Sequence, residues 1–163
     1  MLKRACIAIV DAAHCRIYRY QHDAKQPPSL SEVRDLVSPG RQAHGMFTDQ
    51  PARARGLMGG TMDDHRTDHI AELDRRFAKV VSSEIDRVVR EAQLAHVILI
   101  ASPKMLAKLR AEDCAFRRDG ISLDEIAQDL AWLTSPQVHD HLAAMSLIEP
   151  RARIPIARAA RSR

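Results

Sequence analysis

SPGRQAHGMFTDQPARARGLMGGTMDDHR (residues 38–66) running into TDHIAELDRRFAKVVSSEIDRVVREAQ (residues 67–93) is the stretch around which the rest of the chain is arranged. The first part has no hydrophobic period and holds five of the six glycines. In the second part Ile70, Leu73, Phe77, Val80, Val81, Ile85, Val88 and Val89 recur at three- and four-residue steps, with charge on the opposite face. That spacing predicts a long amphipathic helix. Structureless connections beyond about 12–15 residues are uncommon in compact domains and are usually functional or disordered. Residues 38–66 are therefore the expected working surface.

Upstream of this loop, ACIAIV (5–10) is a short apolar run rich in branched residues, which reads as a buried strand. Asp11-Ala12-Ala13 reads as a turn. HCRIYRY (14–20) then alternates Cys15, Ile17 and Arg19 against Arg16, Tyr18 and Tyr20, as a half-exposed strand of a hairpin would. QHDAKQPP (21–28) is polar and ends in two prolines, so a loop is expected. LSEVRDLV (30–37) fits a third strand, stopped by Ser38-Pro39-Gly40.

Downstream of the long helix, HVILIA (96–101) predicts a central strand, and Ser102-Pro103 opens a helix that buries Met105, Leu106 and Leu109. Asp119-Gly120 marks a turn. ISLDEIAQDLAWL (121–133) is ambiguous, with a strand expected within 123–130. Thr134-Ser135-Pro136 caps a last helix, 137–145, with Val138, Leu142 and Met145 inward. The order βββ-loop-αβαβα describes a single α/β domain, a mixed β-sheet with helices on its faces, over residues 1–148.

The 163 residues suit one core, and with only six aromatics that core must be aliphatic. So few aromatics also argue against a sheet-borne base-stacking platform. The formal charge of +4 is local. Arg151, Arg153, Arg158, Arg161 and Arg163 follow Glu149 with no acid among them, and residues 1–150 carry a formal −1. Residues 149–163 read as a basic, disordered tail able to meet nucleic acid or an acidic surface. Cys6, Cys15 and Cys114 have no metal-type spacing. The N-terminal apolar run is too short for a signal-peptide core, and no stretch approaches the roughly 20 apolar residues of a membrane helix. The expected compartment is the cytoplasm, with reduced thiols.

Three groups of residues could carry chemistry. Gly56-Leu57-Met58-Gly59-Gly60-Thr61 precedes the helix, where exposed backbone N–H groups and the helix dipole favour an anion. Arg41, Arg53 and Arg55 add cationic charge, so Arg41, Arg53, Arg55, Gly59, Gly60 and Thr61 form a candidate phosphate or nucleic-acid site. It is neither a Walker loop nor a dinucleotide fingerprint. His65 and His69, with Asp64 and Asp68, repeat at the four-residue step of a metal pair. Acids in a first helical turn are also favoured by the macrodipole alone. Asp11, ending the first strand, could join Asp64 and Asp68 as a carboxylate cluster for a magnesium-dependent nuclease. Its alternative role is to hydrogen-bond the turn backbone, and that role is preferred.

IAIVDAAHCRIYRY, the loop with GRQAHG, DDHRTDHIAELDRRFAKVVSSEID, VILIASPKMLAKLR and IAQDLAWLTSPQVHDHL together resemble the bacterial host attachment protein family, described as bacterial relatives of the archaeal and eukaryotic peptide release factors. The resemblance spans roughly residues 3–145 and rests on the order and spacing of these pieces. It implies the mixed-sheet fold of the release-factor middle domain, in which a Gly-Gly-Gln loop precedes a long helix and enters the peptidyl-transferase centre. Gly59-Gly60 stand in the corresponding place, with Thr61 where glutamine would position the hydrolytic water. A threonine hydroxyl is shorter, so release-type hydrolysis is not expected. Codon reading is not expected either, since one domain lacks the recognition domains. The leading expectation is a cytoplasmic ribosome- or tRNA-associated factor with no cofactor. The alternatives are a non-catalytic protein-interaction module and a metal-assisted hydrolase using Asp11, Asp64, His65, Asp68 or His69.

Overall fold

Five strands form one mixed sheet in the order β3-β2-β1-β4-β5. The computed structural model describes residues 2–40, 62–118 and 120–151, with only the backbone of residues 62–65. β1 (Arg4–Val10), β2 (His14–Asp23) and β3 (Gln26–Val37) make an antiparallel meander. β4 (His96–Ala101) and β5 (Ser122–Ala127) are added on the other side of β1, parallel to it. Among the described residues the helices include α1 (Met62–Glu91), α2 (Pro103–Ala111), the single turn α3 (Ala115–Arg118) and α4 (Ser135–Ala144).

The sheet separates two cores. On one side Cys6, Ala8, Val10, Cys15, Ile17, Val97 and Leu99 pack under Phe77, Val81, Ile85 and Val88 of α1 and Met105, Leu106 and Leu109 of α2. On the other, Ile7, Ile9, Tyr18, Tyr20, Ile98, Ile100 and Ile126 pack against Leu130, Leu133, Val138, Leu142 and Ile148. Covering both faces explains why β1 and β4 are continuous apolar runs. It also corrects the expectation for β2. Tyr18 and Tyr20 are fully buried under α4, and the strand is not half-exposed.

Other boundaries shift for physical reasons. The expected loop 21–28 is the end of β2 and the start of β3, joined by a tight turn in which Asp23 accepts from the Lys25 N–H at 3.1 Å. Pro27 and Pro28 are tolerated because β3 is an edge strand, where one side of the ladder needs no donor. α1 begins at Met62, so the last five residues assigned to the loop are helical. The turn α3 was not anticipated. Asp86 of α1 supplies its cap by accepting from Ala115 N at 2.9 Å and Phe116 N at 2.7 Å. Val80 and Met145, expected inward, are 51 % and 41 % exposed.

Candidate functional site at the carboxyl edge of the sheet

β1, β4 and β5 run parallel, and their carboxyl ends share one edge with the β1–β2 turn and the end of β3. In α/β sheets this is the edge at which ligands are usually bound. The turn is built by Asp11. Its Oδ1 accepts from Ala13 N and His14 N, both at 2.6 Å, and its own N–H donates to the His14 carbonyl at 2.9 Å. Ser38 N donates to the Ala13 carbonyl at 2.7 Å, which fixes the exit of β3 against the same turn. Ser102 caps α2 there, accepting from Met105 N. Asp11 thus fills the preferred turn role, its Oδ1 held by two backbone N–H groups.

α1 starts beyond this edge. Its 30 residues span about 45 Å, whereas the six of β4 span about 20 Å. The C-terminal end is anchored at the opposite edge, where Arg4 Nη2 donates to the Ala92 carbonyl at 2.6 Å. The fully buried residues of α1 begin at Asp74, and Arg66 to His69 are exposed. Asp74 meets Lys108 Nζ of α2 at 2.8 Å, with only 4 % of its side chain accessible. This ion pair marks where α1 docks onto the domain. Before it, Ile70 to Leu73 are only partly buried.

Between the end of β3 and α1 lies a groove of about 470 Å³, with Val37, Leu73, Phe77 and Val80 as its apolar lining and Asp35 and Arg76 at its polar rim. Gly40 forms one wall. A Cβ on it would meet Leu73 Cδ2 at 2.4 Å, so no side chain fits without displacing that leucine.

Of the residues singled out from sequence, Arg41, Arg53, Arg55, Gly59, Gly60 and Thr61 lie outside the described residues. Asp64 and His65 belong to the first turn of α1, and Asp68 and His69 are exposed one turn on. Among the described residues no three of His, Cys, Asp and Glu converge as a metal would require. The three cysteines are buried and free. Burial pushes the Cys6 thiol up to about 12 and raises those of Cys15 and Cys114. They are core residues and not nucleophiles.

Sequence reasoning missed the loop between β5 and α4. Arg16 Nη2 donates to the carbonyls of Ala131 at 2.8 Å and Leu133 at 2.6 Å, pinning both neighbours of Trp132. Leu130 and Leu133 are buried, while the sole tryptophan is 74 % exposed. A lone Trp among aliphatics read as part of an ambiguous element, and nothing local signalled its exposure.

Among the described residues no helix is long and apolar enough to cross a membrane. No curated protein matches the chain. Among the solved structures that resemble it distantly are the following two. The Aquifex aeolicus Ppx/GppA phosphatase, type II variant, shares 12% identity over 77% of this chain at a TM-score of 0.38. A structure described as an archaeal protein shares 14% over 88% at 0.39. The aligned regions make up 36% and 38% of those longer chains. Residues 6–142 match the family model for the protein required for attachment to host cells, and the chain belongs to that family.

Proposed function

We propose that this family member is a cytoplasmic ribosome- or tRNA-associated factor that brings the segment between β3 and α1 against RNA phosphates. One observation carries the reading: α1 overruns the sheet at the carboxyl edge, and none of its described side chains before Asp74 is fully buried. The sequence gives that segment the charge and backbone freedom for a phosphate chain, through Arg41, Arg53, Arg55, Gly59, Gly60 and Thr61. The release-factor resemblance supports the same reading, with Thr61 arguing for binding without peptide release.

The test is co-sedimentation with ribosomes from low to moderate salt. Intact protein should pellet, less so as salt rises, and the change of Gly59 and Gly60 to valine should abolish it. Absent or salt-insensitive binding overturns the proposal. Loss only on removal of the residues after Arg151 would reduce it to unspecific attraction by the basic tail. The second reading, a non-catalytic interaction module, draws on the apolar groove beside Phe77 and Val80. An arginine at Val80 would then displace a protein partner and leave ribosome binding unchanged.

A further inference from the structure

The structure assigns a second contact to the same edge: we infer that Trp132 is a stacking residue for an unpaired nucleobase. This inference rests on the RNA-binding reading above and adds a residue that no motif indicated. The loop holding Trp132 follows the carboxyl end of β5 and is tied by Arg16 to β2, opposite Ile9 near the carboxyl end of β1. Arg16 itself lies 5.8 Å from the centre of the buried Tyr18 ring. Ala131 N donates to Asp129 Oδ1 at 3.2 Å, and Leu133 N to the Leu130 carbonyl at 3.1 Å. The turn is therefore set in place before any ligand arrives, with its two leucines in the core and the indole in water.

The indole N–H is already donated to the Asp129 carbonyl at 3.2 Å. Water is not needed to satisfy it, so what the protein leaves accessible is π surface alone. A ligand that reads π surface and nothing else is a planar ring, and stacking of this kind tolerates any base. A protein hot spot would differ, since such an anchor sits inside a ring of contacts that exclude water. Trp132 is 74 % exposed. Its neighbours Asp129, Thr134, Pro136 and Gln137 are exposed. Of the other large exposed apolar side chains among the described residues, Val37 and Val80 line the groove beside α1, and Met145 ends α4. His14 is exposed two residues before Arg16 on the same strand face.

Trp132 is the only tryptophan, so its fluorescence reports on its own surface. The experiment titrates intact protein with oligouridylate, with duplex RNA and with cellotriose, and repeats the binding with Trp132→Ala and Trp132→Phe. Saturable quenching by oligouridylate is expected, with duplex RNA weaker. Affinity should fall about five- to a hundredfold in Trp132→Ala and recover largely in Trp132→Phe. Both variants should keep the melting temperature, because the ring is exposed; a drop would show the indole to be structural. Oligouridylate binding with unchanged fluorescence and an unaffected Trp132→Ala overturns this inference and leaves the ribosomal reading standing. Quenching by cellotriose alone would make the site a sugar platform and overturn it too. If no RNA binds the intact protein, both fall together.

Discussion

Asp11 shows how a residue's position in the chain and its role can point in different directions. A carboxylate at the carboxyl end of a first strand invites a catalytic or metal-binding reading, yet two N–H groups of the turn occupy its Oδ1. Removing both bonds by Asp11→Ala should cost about 1–2 kcal/mol in a urea titration, with Asp11→Asn losing less because its amide oxygen still accepts. Ribosome co-sedimentation should be unchanged in both variants. Loss of binding in a stably folded Asp11→Asn would restore a ligand role. This turn was legible because Asp followed by two alanines between apolar runs has a local mechanism. Trp132 was not legible. Its exposure is imposed by Arg16, 115 residues away from Ala131, and no window of sequence contains both.

Among the elements, continuous apolar runs marked β1 and β4, buried on both faces, and spaced apolar residues marked α1, α2 and α4, each of which hides one face. It failed where a long-range partner decides the outcome. α3 exists because the Asp86 carboxylate caps it from α1, and the proline-bearing start of β3 survives because the strand has an unpaired edge. The overhang of α1 was only half legible, since Ile70 and Leu73 continue the apolar stripe beyond the part the sheet covers. Glu125 of β5 ties α2 and α3 together in the same long-range way, accepting from Arg110 Nε at 2.6 Å and Arg117 Nη2 at 2.9 Å. Burial opposes its ionisation, but the hydrogen bonds and charges of the two arginines outweigh that and hold its carboxyl below the ordinary 4.5. A carboxyl lowered in the folded state stabilises above its ordinary value, and that stabilisation is lost as pH falls through the lowered one. Glu125→Gln should therefore cost about 1–2 kcal/mol near neutrality and flatten the stability profile below about pH 4.5. Parallel profiles for both proteins would show that the two arginines do not act through this carboxylate.

The whole molecule is closed by its C-terminal segment. From sequence, a domain over residues 1–148 with a basic tail after it was a boundary set by composition, because acids stop at Glu149. The contacts that fasten the segment are not compositional. Ile148 is fully buried in the core under α4. Glu149 N donates to the Tyr20 hydroxyl at 3.0 Å, and its carbonyl lies 2.8 Å from His139 Nε2, whose ring meets Tyr20 edge-on with centroids 5.9 Å apart. Arg151 then pairs with Asp140 on α4, with Nε 2.8 Å from Oδ1. These links run from α4 through the chain end to β2, so they brace the second core against the sheet. We propose that the folding unit extends through Arg151 and that the residues beyond it act only by charge. A chain shortened after Arg151 should melt within about 1–2 °C of the full chain and lose part of its salt-dependent RNA affinity. One shortened after Leu147 gives up the Ile148 side chain and both Glu149 bonds, and its melting temperature should fall by roughly 6–12 °C. Differential scanning calorimetry of the three proteins separates the roles. Equal melting temperatures would mean that α4 holds the second core without the brace. Loss of stability already after Arg151 would mean that the basic residues contribute to folding, and their part in binding would then have to be measured by substitution at Arg153 and Arg158.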